Sequence, residues 1–123
     1  MTGGLEHSMR RFLTDLASRR GTVTYRVLAK ALDLAPPHTI HKIGDALAAL
    51  MAEDHANARP FLAALVISKA RNGLPSPHFF DIAGGLGRYT GPATGAEAHG
   101  YHTQELERAW DYWGAPQKAS SEH

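Results

Sequence analysis

Residues 22–80 read TVTYRVLAKALDLAPPHTIHKIGDALAALMAEDHANARPFLAALVISKARNGLPSPHFF, and how this stretch divides decides the fold. Thr22-Val-Thr-Tyr25 opens a short helix over Arg26 to Leu34, with Thr24 as N-cap because its hydroxyl can accept from an unpaired first-turn amide. Val27, Leu28, Ala31 and Leu32 form its expected buried stripe. Pro36 and Pro37 cannot continue a helix and so set a turn. A second helix starts near Thr39 and runs through Glu53, Asp54 and His55, ending before Pro60. Its spacing places Ile40, Ile43, Leu47, Leu50 and Met51 inward, and His38, His41, Lys42, Asp45 and Ala49 outward. Gly44 lies near the apolar side, where a missing side chain admits a neighbouring backbone.

The apolar run Leu62 to Ser68 is short and Val/Ile-weighted at its end, which reads as a buried strand. Asn72-Gly73 is the strongest turn signal in the chain. Leu74-Pro-Ser-Pro77 is extended, and its prolines confine a second strand to an edge. Two helices across a sharp turn, then a strand, a basic tip and a return, are the parts of a winged helix. The expected fold class is mainly α with a small β hairpin: a winged helix-turn-helix with extra helices at both ends.

The flanks supply those helices. Leu5, Met9, Phe12, Leu13 and Leu16 recur at helical spacing opposite Glu6, Arg10, Arg11 and Asp15, with Gly21 as the stop. Arg19-Arg20 suits the negative end of that helix's dipole. Phe79, Phe80, Ile82 and Leu86 predict a short apolar turn or helix ending at Gly84-Gly85-Leu-Gly87, and Thr90 to Gly100 reads as a loop. Thr103 then caps a last helix bearing Leu106, Ala109, Trp110 and Trp113 on one stripe. The expected organisation is a disordered start over 1–4, one winged-helix-like domain over 5–113 and a flexible tail over 114–123.

With 123 residues the chain suffices for a single core. Thirteen Lys and Arg against twelve Asp and Glu leave a formal charge of +1, so nucleic-acid binding would need a local patch. The absence of cysteine removes disulfides, thiolate nucleophiles and Cys-based metal sites. No apolar leader and no run of about 18 apolar residues is found, so the expectation is a cytoplasmic protein without membrane contact.

The candidate interface is with nucleic acid, double-stranded DNA in the first place. His38, His41 and Lys42 lie on the outward side of the second helix of the motif, and Lys69, Arg71 and Asn72 at the turn. In winged-helix docking that helix enters the major groove while the wing touches backbone. Lys and Arg reach phosphates and Asn can read an adenine edge, for about three to five phosphate contacts in all. Ordinary solvated charge is the competing reading. The near-neutral total and Asp45, central on the reading face, favour the alternative of a protein-interaction module on the same scaffold.

The motif also resembles the C-terminal winged-helix domain of the O6-alkylguanine alkyltransferases and alkyltransferase-like proteins. The matching segments are Val23-Thr24-Tyr25-Arg-Val-Leu28-Ala29 and His41-Lys42-Ile43-Gly44-Asp45-Ala46-Leu47, within residues 22–68. The resemblance implies that Tyr25 sits near a DNA phosphate and that His41 takes the place of the arginine finger filling the space of a flipped base. The family's Pro-(Cys/Trp)-His-Arg element has no counterpart near Arg59-Pro60-Phe61-Leu62. Without a cysteine, alkyl transfer is excluded.

Other constellations are weaker. His99, His102 and Glu105 offer two imidazoles and a carboxylate, as His38 and His41 offer a pair, but zinc sites want about four ligands on a rigid frame, and no metal is expected. Ser68-Lys69 has the wrong geometry for a dyad, because adjacent strand residues face opposite ways. Gly84-Gly85-Leu-Gly87-Arg88 lacks the spacing and context of a phosphate loop. No catalytic residue, cofactor or enzymatic activity is expected. Leu74-Pro75-x-Pro77-x-Phe79-Phe80 and the Leu106, Trp110, Trp113 stripe read first as core. If the last helix stands off the domain, its tryptophans become a homodimer interface.

Overall fold

The computed structural model describes residues 3–114; the ends over 1–2 and 115–123, with most of the expected tail, lie outside the described residues. The chain is mainly helical with one small sheet. Helix α1 spans Gly3–Ser18, strand β1 Val23–Thr24, helix α2 Tyr25–Ala31 and helix α3 Thr39–Ala56. A 3-10 turn over Leu62–Leu65 leads into strand β2, Val66–Ile67. A second 3-10 turn, Lys69–Arg71, precedes helix α4 (Pro77–Gly85) and helix α5 (Gly95–Trp113).

The core forms around the 61–66 segment, whose side chains are all buried. Met9, Leu13 and Ala17 of α1, Leu28 of α2, Ile43, Leu47, Leu50 and Met51 of α3, and Ala98 and Ala109 of α5 close on it. Helices α1, α3 and α5 therefore wrap a central apolar segment that is neither a long strand nor a long helix.

That segment departs from the sequence expectation. Half of the strand expected over Leu62 to Ser68 is a 3-10 turn, and the remainder pairs in parallel with β1, Val23 opposite Val66 and Thr24 opposite Ile67. The hairpin expected across Asn72-Gly73 shrinks to one antiparallel bridge between Ser68 and Leu74. Its physical limit is Pro75 and Pro77, which lack the amides a longer ladder needs. The tip is a compact turn in which the Ser68 carbonyl accepts from the Arg71 and Gly73 amides at 3.2 and 3.0 Å. Asn72 takes the left-handed conformation there at φ 58°.

Helix α3 starts and ends where the sequence places it, and Thr24 caps α2 by accepting from the Val27 amide at 3.2 Å. The faces differ in detail. Ala29 is buried in α2 in place of Val27 and Ala31, and Ile40 of α3 is 61% exposed. At the end of α1 Arg20, not Gly21, holds the left-handed position. Gly3 and Gly4 are the first residues of α1. Helix α5 begins eight residues before Thr103, absorbing part of the expected 90–100 loop. Packing of Ala98 and His102 into the core favours helix there despite Gly95 and Gly100. Its tryptophans dock on the domain: Trp110 Nε1 donates to the Gly21 carbonyl at 3.0 Å and Trp113 Nε1 to that of Pro60 at 2.9 Å. The condition for a tryptophan-faced dimer is therefore not met. No described helix is long and apolar enough to cross a membrane.

Candidate nucleic-acid interface

The parallel β1–β2 pair frames the candidate interface, because it brings the start of α2 beside the 66–74 segment. Tyr25, the first residue of α2, accepts at its hydroxyl from the Ser76 amide at 2.8 Å. This hydrogen bond ties the helix to the Leu74–Pro77 strap and leaves the tyrosine ring on the wall of a cleft. The cleft encloses about 670 Å³ between the first turns of α3 and the strap, and Tyr25, Ile40, His41, Arg71, Ser76 and His78 border it. Gly44 opens onto it, with His78 rather than a backbone nearest to the space a side chain would fill.

A shallower cleft of about 500 Å³ continues from it and shares Tyr25, Ile40 and Ser68 as a common wall. Thr24, Arg26, Val27, Ile67 and Lys69 form the rest of that second lining. The residues expected at the interface are thus partly gathered. Tyr25, His41 and Arg71 meet in the first cleft and Lys69 borders the second, while His38, Lys42 and Asn72 are exposed but line neither.

Arg71 is not the free phosphate contact that its sequence position suggests. Its Nε donates to the Pro75 carbonyl at 2.8 Å and its Nη2 to that of Ala93 at 2.6 Å. The guanidinium is half-buried and frames the cleft by pinning the strap to the segment before α5.

Ion pairing is uneven among the cations. Arg10, Arg19, Arg20, Arg59, Arg88 and Arg108 all form ion pairs with carboxylates, from 2.7 to 3.6 Å. Arg10 lies on α1 and Arg108 on α5, Arg19 and Arg20 follow α1, Arg59 follows α3 and Arg88 follows α4. Arg11 of α1, by contrast, is exposed with no described carboxylate within ion-pair distance. Among the described residues, Arg26, Lys30, Lys42 and Lys69 have no carboxylate within ion-pair distance, and all four are exposed on α2, α3 and the turn. Asp45 is the one carboxylate bordering the first cleft. The overall balance of +1 therefore includes exposed cations on α2, α3 and the turn that no described carboxylate neutralises.

Sequence reasoning missed Arg26, Val27, Ile40 and His78. Arg26 follows Tyr25 directly, and its exposure was available from the helical spacing. Ile40 was assigned inward with Ile43 and Leu47, because periodicity cannot show that the first turn of α3 stands clear of the core.

The histidine and carboxylate cluster of α5 does not assemble. His102 is buried with Nε2 2.9 Å from the Ala64 carbonyl, and Glu105 accepts from the Phe61 amide at 2.7 Å. Among the described residues no group of three His, Cys, Asp or Glu is arranged to hold a metal ion. The chain is matched by no protein-family model, by no curated protein and by no solved structure at a significant level.

Proposed function

We propose that this is a non-enzymatic nucleic-acid-binding protein that presents the start of α3, the start of α2 and the 68–74 turn to double-stranded DNA. The single observation that carries the reading is that Arg26, Lys30, Lys42 and Lys69, all exposed on α2, α3 and the turn, have no described carboxylate within ion-pair distance. A polyanion gains from such unpaired cations, because each phosphate neutralised releases a counterion. Helix α3 supplies the reading element, and the turn supplies the backbone contact of a much shortened wing. The family resemblance of residues 22–68 agrees with this use of the surface, since Tyr25 and His41, which it would place against DNA, border the same cleft.

The test is a fluorescence anisotropy titration of the protein against random-sequence duplex at low and moderate salt. Binding that weakens steeply with salt is expected, and no binding at either salt rejects the reading. A protein-interaction role is the second reading. The exposure of Val27 at 52% and of Ile40 at 61% favours it, because apolar side chains at one surface suit a protein partner. Light scattering across a concentration range and a pull-down from host lysate separate the two.

A further inference from the structure

We propose that Ile40 is a specificity-determining residue that packs on the C5-methyl group of thymine in the major groove. The inference rests on the DNA-binding reading and assigns the base feature that the surface selects. Among the described residues only three large apolar side chains are substantially exposed, Val27, Ile40 and Tyr112, and two of them border the same cleft. Leaving an isoleucine in water forgoes its burial energy, about 25 cal/mol for each Å² of apolar surface, so the position suits a surface that is covered when the protein is engaged.

Charge complementarity identifies the cover. The cleft that Val27 and Ile40 share is edged by Arg26 and Lys69, neither within ion-pair distance of a described carboxylate. An apolar strip between unpaired cations matches a polyanion that carries apolar groups between its charges. In the major groove of duplex DNA the thymine methyl is that group, while the other distinguishing features of the base edges are hydrogen-bond donors and acceptors. Ile40 has neither, so the methyl is what it can read. Its place in the first turn of α3 is where a recognition helix meets base edges.

The experiment compares a fluorescein-labelled duplex of mixed sequence with the same duplex carrying uracil for every thymine, which removes the methyls and keeps every phosphate and base pair. The wild-type protein is expected to bind the uracil duplex about fourfold more weakly for each methyl group that Ile40 would otherwise cover. Ile40→Ala is expected to lower affinity for the thymine duplex to the uracil level, with affinity for the uracil duplex and the salt dependence unchanged. Because Ile40 is largely exposed, the variant keeps its fold, which circular dichroism and the melting temperature verify. Equal binding of both duplexes by the wild type overturns the inference and leaves DNA binding standing. Absence of binding to either overturns it together with the reading beneath it. A concentration-dependent dimer that Ile40→Ala abolishes also overturns it, in favour of a second copy as the cover.

Discussion

Asp54 of α3 and Glu105 of α5 cap two consecutive amides. The Leu62 amide donates to Asp54 Oδ2 at 3.2 Å, and the Phe61 amide donates to Glu105 Oε2 at 2.7 Å. These amides open the 3-10 turn at the centre of the core, where they have no intrahelical acceptor. Two buried carboxylates from helices far apart in the chain thus fix how the central segment enters the fold. Each is matched by guanidinium groups: Arg10 and Arg59 at 2.9 and 3.1 Å on Asp54, Arg88 and Arg108 at 3.4 and 3.6 Å on Glu105. Arg10 and Arg59 also lie over the Trp113 ring, at 5.0 and 4.9 Å, joining α1, α3 and α5 at one point.

Removing Asp54 strands the Leu62 amide and Arg59, while Arg10 keeps its pairing with Glu53 at 2.7 Å. Asp54→Ala is expected to destabilise the fold by about 3–5 kcal/mol, the range for breaking a buried ion pair on one side. Asp54→Asn keeps an acceptor for Leu62 and is expected to cost less. Urea denaturation followed by tryptophan fluorescence measures both, and a loss below about 1 kcal/mol for the alanine variant contradicts the capping role.

Acid should weaken the fold through His102. Burial, the main cause, holds its imidazole pKa below the usual 6.5 despite the hydrogen bond to the Ala64 carbonyl. The native state therefore resists a proton that the unfolded chain accepts. Its contribution is fully present above pH 6.5 and is lost as the pH falls through that value. The urea midpoint of the wild type is expected to drop more between about pH 8 and about pH 5 than that of His102→Gln. Parallel curves for the two proteins would show that His102 does not titrate this way.

Ala58 ends α3 at a cost. It follows the Asn57 C-cap in the left-handed conformation at φ 55°, and the Arg59 amide reaches back to the Asp54 carbonyl at 2.8 Å. Glycine is favoured at this position because it has no Cβ to clash. Ala58→Gly is expected to stabilise the protein by about 0.5–1 kcal/mol, seen as a rise in melting temperature. A fall would mean that the greater freedom of the unfolded glycine chain outweighs the relieved strain.

The salt dependence of the proposed DNA binding should sort the basic residues of α2 and the turn. Lys69→Ala is expected to reduce the slope of log affinity against log salt by about one, as is Arg26→Ala. Arg71→Ala is expected to lower stability instead, because its guanidinium is committed to the Pro75 and Ala93 carbonyls. Unchanged slopes in both single variants would place the phosphates elsewhere.

The elements whose residues repeat at a helical period over several turns were legible in advance. Helix α3 and the amphipathic face of α1 follow from Ile43, Leu47, Leu50, Met9 and Leu13 alone. The Thr24 cap was legible because capping is local chemistry between a hydroxyl and an amide three residues on. The 62–68 segment was not, since a short apolar run fits strand and helix alike. In the structure it is a 3-10 turn whose opening amides meet carboxylates of distant helices, followed by a short strand paired with β1. The lining of the candidate clefts was half legible: Tyr25, His41 and Lys69 were named from the chain, while Arg71 turned inward and Ile40 outward.

The order of amino acids by itself determined the chain's helical character, the break at Pro36-Pro37 and the turn at Asn72-Gly73, because periodicity, ring closure and left-handed backbone preference act between near neighbours. The tertiary structure decided the parallel pairing of β1 with β2, the burial of Asp54, Glu105 and His102, and which cations remain without acidic partners. Those outcomes depend on contacts between residues far apart in the chain, where burial and charge pairing are settled only once the helices close around residues 61–66.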